Sequence, residues 1–198
     1  MDEKVITQRK EGRWWKTFLG IKQRHTYWLY EVIDDILNTE KQISGIIEIG
    51  TAAGALSILL GLECYERELK PLLTYDIKDW TKEKSGQFFY KEPRLFKLLG
   101  IRFIIRNCFS DESIAEIQGY ADKPILLFCD GGNKKREFNE LTPLLPVGSV
   151  IAAHDWTNEI KQEHIQLTLD KYAMQPLREK EWNDKPDYIE TCFWRKTL

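Results

Sequence analysis

From residue 45 to residue 155 the chain alternates short, almost unbroken apolar runs with longer stretches whose apolar residues recur at helical spacing. The runs are Gly45–Gly50, Leu72–Ile77, Ile101–Asn107, Ile125–Asp130 and Ser149–Asp155. They are rich in Ile, Leu and Val and scarcely alternate with polar residues, as strands covered on both faces do. Between them Ala53–Leu69, Phe88–Leu99, Asp111–Gln118 and Lys134–Leu145 read as helices. This alternation predicts a parallel sheet with helices on both sides. Upstream, Trp28, Leu29, Val32, Ile33, Ile36 and Leu37 share one face of a helix over Tyr27–Leu37. A polar, frayed start over residues 1–12 and an apolar knot of Trp14, Trp15, Phe18 and Leu19 precede it. Downstream, Lys161–Tyr172 reads as a helix. Met174–Trp182 and Tyr188–Arg195 then read as extended runs joined by the turn-rich Asn183–Asp187, a hairpin that would close the sheet with an antiparallel edge.

Bulk properties narrow the class. Apolar residues at 42% and charged residues at 30% describe a soluble globular chain, and 198 residues suffice for one core. With no linker, repeat or low-complexity segment, residues 1–198 are expected to form a single domain. A formal charge of -2 lacks the basic footprint of a nucleic-acid binder, so no nucleic-acid partner is expected. Cys64, Cys108, Cys129 and Cys192 show no C-x-x-C pair or zinc spacing and read as reduced thiols of a cytoplasmic protein. The opening MDEKVITQRK has no secretory apolar core, and Glu48 interrupts the longest apolar stretch before it reaches a membrane-span length.

Open parallel sheets bind ligands beyond the carboxyl ends of their strands. At the first such end stands Glu48-Ile49-Gly50-Thr51-Ala52-Ala53-Gly54, without the G-x-G-x-x-G of a dinucleotide turn and without a P-loop. A carboxylate two residues before the first glycine favours an ammonium-bearing ligand. Asp76, 22 residues past Gly54 at the end of the second strand, suits a ribose diol. An ammonium group and a ribose with no phosphate describe S-adenosylmethionine. A nicotinamide cofactor is disfavoured.

"EIGTAAG" followed by "YDI" resembles the first two motifs of class I S-adenosylmethionine-dependent methyltransferases. "LLFCDGGNKKREFNELTPLLPVGSVIAAHDW" is similar to the fourth and fifth strands of the catechol O-methyltransferase and cephalosporin-hydroxylase-like branch. The likeness extends to the lead-in "FLGIKQRHTYWLYEVIDD" and so covers most of the chain. It implies a Rossmann-like α/β fold with a mostly parallel seven-stranded sheet, order 3-2-1-4-5-7-6, and an antiparallel last strand. Residues 1–40 would form an N-terminal helical segment placed to cover the acceptor site. The resemblance assigns Glu48, Gly50, Thr51 and Gly54 to the methionine end of the cofactor, and Asp76 to the ribose. Asn107, Cys108 and Phe109 would line the adenine, and Asp130 would border the cofactor.

The same resemblance gives the acceptor half. Asp130 and Asp155 end the fourth and fifth strands, and in related O-methyltransferases such a pair holds Mg2+ or another divalent cation against the acceptor hydroxyl. Trp156 stands where the catechol enzymes supply an amide ligand, so two carboxylates and an uncertain third group remain. His154 is the alternative activator, a general base. Lys134 and Lys135 fall where catechol enzymes carry a catalytic lysine, with Asn133 at the closest matching position; a solvated helix face is the competing reading. Asp130 and Asp155 have a competing reading as helix caps, and Trp156 one as an acceptor platform. His25 and His164 find no role. The expected activity is methyl transfer to a hydroxyl of a small molecule or glycan. Transfer to nitrogen, or cofactor binding without catalysis, are the alternatives, and a homo-oligomer stays open.

Overall fold

The computed structural model describes residues 25, 27–80, 93–182 and 190–198, and the backbone of 10–11, 14–15, 17–18 and 21–22. The seven strands of the main sheet are β1 (Ile46–Ile49), β2 (Leu73–Asp76), β3 (Arg102–Ile105), β4 (Leu126–Cys129), β5 (Val150–His154), β6 (Gln175–Pro176) and β7 (Thr191–Arg195). Their spatial order is β3-β2-β1-β4-β5-β7-β6. Pairs among β1 to β5 are parallel, whereas β7 runs antiparallel to both β5 and β6. Every residue of β1, β4 and β5 is buried, which is why these strands carry no alternation. β3 is one edge of the sheet, and its Arg102 and Ile105 are exposed.

The helices are α1 (Tyr27–Thr39), α2 (Ala55–Glu66), α3 (Pro93–Leu98), α4 (Asp111–Tyr120), α5 (Lys134–Leu141), α6 (Gln162–Lys171) and the one-turn α7 (Glu179–Trp182). Leu29, Val32, Ile33, Ile36 and Leu37 of α1 are buried as their spacing predicts, each contributing roughly 1.5–3 kcal/mol. Nearly all of α2 is buried, Ser57 and Glu63 included. Among the described residues no helix is long and apolar enough to cross a membrane.

Among the described residues of 1–40, Lys10–Glu11 pairs with Trp14–Trp15 and Thr17–Phe18 with Ile21–Lys22, both antiparallel, and Tyr27–Thr39 is helical. The side chains of Trp14, Trp15, Phe18 and Leu19 lie outside the described residues. The extended run expected at Met174–Trp182 is a two-residue strand, β6, followed by α7. Pro176 has no N–H to carry a ladder. Arg178 then turns the chain at a φ of 54°, so that Trp182 packs edge-on against Trp156 and donates from Nε1 to the Leu177 carbonyl at 2.7 Å. The helix expected from Phe88 is described only over Pro93–Leu98; residues 81–92 and the Asn183–Asp187 turn lie outside the described residues.

β1 has β2 on one side and β4 on the other, so the chain switches direction across the sheet between β1 and β4. A crevice opens at such a point, at the carboxyl ends of the strands.

Candidate cofactor and acceptor site

The turn leaving β1 is held by backbone. The Gly50 amide donates to the Tyr75 carbonyl at 2.8 Å, and the Gly54 amide to the Thr51 carbonyl at 2.9 Å. Gly50, Ala52 and Gly54 have φ of 99°, 45° and 83°, and Gly54 is the residue that opens α2. At Gly50 a Cβ would lie 2.6 Å from the Asp130 carbonyl carbon and 2.8 Å from the Gly131 nitrogen. Glycine is therefore required there by the neighbouring strand end as well as by the turn.

Glu48, only 1% exposed, projects between α2 and β2. Its Oε2 accepts from Ser57 Oγ at 2.5 Å and from Thr74 Oγ1 at 2.6 Å. Oε1 is buried and has no hydrogen-bond partner among the described residues. Burial pushes this carboxyl up to about 8; the Ser57 and Thr74 bonds pull against that, and the charges of Asp130 and Asp76 add to it. Buried Thr51 shares a 2.5 Å hydroxyl contact with Thr74. Asp76 ties two loops together. Its Oδ2 accepts from the Ala52 amide at 3.0 Å and from Trp80 Nε1 at 2.8 Å, and its Oδ1 from the Lys78 amide at 2.9 Å.

Beyond β3, Asn107 Oδ1 accepts from the Phe109 amide at 3.0 Å, setting a tight turn before α4. Cys108 is buried, and that burial pushes its thiol up to about 12, with the Glu137 charge adding. Phe109 is half-buried, and the Arg136 guanidinium lies 4.0 Å from its ring centroid.

At the end of β4 the Asp130 amide donates to the Ile49 carbonyl at 2.8 Å, placing Asp130 beside Gly50. The helix after it is capped by Asn133, whose Oδ1 accepts from the Arg136 amide, and by Glu137, which accepts from the Gly131 and Asn133 amides. Asp130 is thus free of the capping task. Nor does the Asp155 side chain cap; its backbone carbonyl accepts from Asn158 and Glu159 instead.

Lys134 corrects the expectation of a solvated face: it is 6% exposed. From the first turn of α5 its side chain reaches back toward the strand ends. Nζ lies 3.5 Å from Asp130 Oδ1, 3.0 Å from Asp155 Oδ2 and 2.8 Å from Glu159 Oε2, and donates to the Gly131 carbonyl at 3.1 Å. Burial disfavours the ammonium, but Asp130, Glu159 and Asp155 outweigh it and drive the pKa above the ordinary lysine value. A permanently charged ammonium stands in the gap between the two aspartates. That gap does not fit a hard divalent cation while Lys134 holds it.

His154, 4% exposed at the end of β5, pairs Nδ1 with Thr191 Oγ1 at 2.8 Å and turns Nε2 toward Asp155 Oδ1, 3.7 Å away. Burial, with His25 and Lys134 adding, pushes its pKa well below the ordinary imidazole value against the pull of Asp130 and Asp155. His25 closes the group. Its Nε2 is 2.9 Å from Asp130 Oδ2, and its ring centroid is 4.6 Å from that of His154. Burial raises the Asp130 carboxyl, but the His25 hydrogen bond and the charges of His154, His25 and Lys134 carry it below its ordinary range. Trp156 is buried in the core, 5.3 Å from Trp182 between centroids, so the amide-ligand position is an internal packing residue rather than an acceptor platform.

No protein-family model matches the chain, and neither does any curated protein sequence. Solved structures do. CalS11, a TDP-rhamnose 3'-O-methyltransferase, matches with a TM-score of 0.58 at 12% identity, over 84% of this chain and 78% of its own. A caffeoyl-CoA O-methyltransferase-like protein from Staphylococcus aureus matches with a TM-score of 0.55 at 14% identity, over 89% and 85%. The chain has the class I methyltransferase fold. A mutant of MtNAS in complex with S-adenosylmethionine also shares it, with a TM-score of 0.53 at 12% identity, over 87% of this chain and 63% of that one.

Within this class I methyltransferase fold, Glu48, Gly50, Thr51, Gly54 and Asp76 gather at the ends of β1 and β2. Asp130, Lys134, His154 and Asp155 gather at the ends of β4 and β5. Sequence reasoning missed His25, Thr191, Glu159 and Trp80. His25 is 105 residues from the aspartate it touches, and no spacing signal points across that distance.

Proposed function

We propose that the protein is an S-adenosylmethionine-dependent methyltransferase acting on a hydroxyl of a small molecule or glycan. The observation that carries this reading is the buried, unpartnered Oε1 of Glu48 at the fold's switch point, beside a turn with three residues at positive φ. A buried carboxyl oxygen left without a hydrogen-bond partner costs about 1–3 kcal/mol, and an ammonium-bearing ligand would satisfy it. Glu48 would hold the amino group, the Gly50–Gly54 turn the carboxylate end, and Asp76 the ribose. The Asn107–Phe109 loop would border the adenine. When bound, the cofactor supplies a methyl group activated by its sulfonium.

The acceptor hydroxyl would meet the His25–Asp130–His154 group, which is where its proton can be taken. Lys134 holds the negative charge of Asp130 and Asp155 in check without titrating itself. Its role is electrostatic, and the same raised pKa makes it unsuited to serve as the base.

Isothermal titration with S-adenosylmethionine tests the cofactor assignment. Asp76→Ala should weaken binding at least about tenfold by removing the acceptor that also anchors the turn through Ala52. No binding to the wild-type protein at millimolar ligand would end the reading. His154→Ala should abolish methyl transfer to a panel of hydroxyl acceptors while leaving cofactor affinity in place.

A further inference from the structure

We propose that His25, Asp130 and His154 form a binding site for a borderline first-row divalent ion such as Zn2+, Co2+ or Ni2+. Each offers one ligand atom, and the three atoms lie within 4.8 Å of one another. The residues arrive from three places in the chain: the segment before α1, the end of β4 and the end of β5. Donor atoms around an ion with bonds of about 2.0–2.2 Å stand roughly 3–3.5 Å apart. The 2.9 Å between His25 Nε2 and Asp130 Oδ2 is already close to that, and His154, within 4.8 Å of both, needs to close by up to about 1.5 Å.

The donor set decides which ion. Two imidazoles and one carboxylate match the preferences of Zn2+, Co2+, Ni2+ and Fe2+, whereas Mg2+ prefers oxygen ligands. The oxygen-only alternative, between Asp130 and Asp155, is filled by the Lys134 ammonium. One further observation points to a ligand at the group. His154 has its Nδ1 oriented by Thr191, and a partner on one ring nitrogen is what fixes the other toward a metal. Asp155 lies beside the group, with Oδ1 3.7 Å from His154 Nε2.

Three protein ligands leave coordination positions open. Within the methyltransferase reading, an acceptor hydroxyl or vicinal diol would take them, and the ion rather than a free imidazole would lower the hydroxyl's pKa. Metal binding itself does not depend on that reading.

The test is titration of metal-free protein with Co2+ and Cu2+, alongside S-adenosylmethionine titration of the same samples. Stoichiometric Co2+ binding with visible d–d absorption, and Cu2+ resonance spectra showing coupling to two imidazole nitrogens, are expected in the wild-type protein. His25→Ala and His154→Ala should each lose those signatures, and Thr191→Val should weaken binding about tenfold. Melting curves of the variants exclude simple unfolding, and the wild-type spectra need no variant at all. Absence of binding, spectra with oxygen donors alone, or equal binding in His25→Ala would overturn the proposal. Failure of the S-adenosylmethionine arm alone would leave the ion site standing and remove the methyltransferase reading.

Discussion

Glu48 should act as a proton-coupled sensor of the cofactor's amino group. In the folded protein its carboxyl titrates at about 8, against an ordinary value of 4.5. Between those two values the folded state holds a proton that the unfolded state has released. Stability therefore falls as pH rises from about 4.5 to about 8 and is flat beyond. At about 1.4 kcal/mol per unit the whole fall is on the order of 5 kcal/mol. Glu48 is buried, so solvent screening takes little from that figure. An ammonium group arriving at Oε1 reverses the preference and expels the proton. At pH 7 about nine-tenths of a proton should leave per cofactor bound, given a pKa near 8. Affinity should climb toward pH 8 and decline above it, because the cofactor's own amine loses its charge near there. Titration calorimetry in phosphate and in Tris, whose ionisation enthalpies differ, reads the proton count directly. Glu48→Gln keeps an acceptor for Ser57 and Thr74, and should flatten the stability profile and silence the proton release. Cofactor binding with identical apparent enthalpy in both buffers would refute the reasoning.

Further outcomes follow from the same geometry. Gly50→Ala places a methyl against the Asp130 carbonyl at a φ of 99° and should destabilise by roughly 2–3 kcal/mol in urea unfolding; a change below about 0.5 kcal/mol would refute the close approach. Lys134→Met strips the shared cation from Asp130, Asp155 and Glu159 and should destabilise by about 3 kcal/mol at neutral pH. Because Asp130 titrates below its ordinary range in the folded state, that loss should shrink as pH falls through the carboxylate range. Mg2+ should raise the melting temperature of Lys134→Met and not of the wild type; an equal response would mean that Lys134 does not occupy the gap.

The central strands were legible because burial on both faces leaves unbroken Ile, Leu and Val, and their order followed from the resemblance. β6 was not legible. Met174, Leu177 and Trp182 are set in an otherwise polar run, and Trp182 is apolar in order to reach Trp156; a residue pattern does not distinguish that burial from a strand's. In the site, the residues ending strands were readable because strand ends are readable: Glu48, Asp76, Asp130 and Asp155. Their partners were not. Thr191 meets His154 from 37 residues away, and Glu159 meets Lys134 from 25. Lys134 looked like a surface residue because its neighbours Lys135 and Arg136 are exposed ones; only the backward lean of a first-turn side chain puts it inside.

The contact between Gly50 and Asp130 is main chain against main chain. Under the proposed function, the spacing between the cofactor's reactive end and the acceptor is therefore set by a backbone seam rather than by side chains. On that proposal, mutations around the mouth of the site are free to change which molecule enters while the travel of the transferred group stays constant. A scaffold of this sort can exchange acceptors over its history and keep one reach.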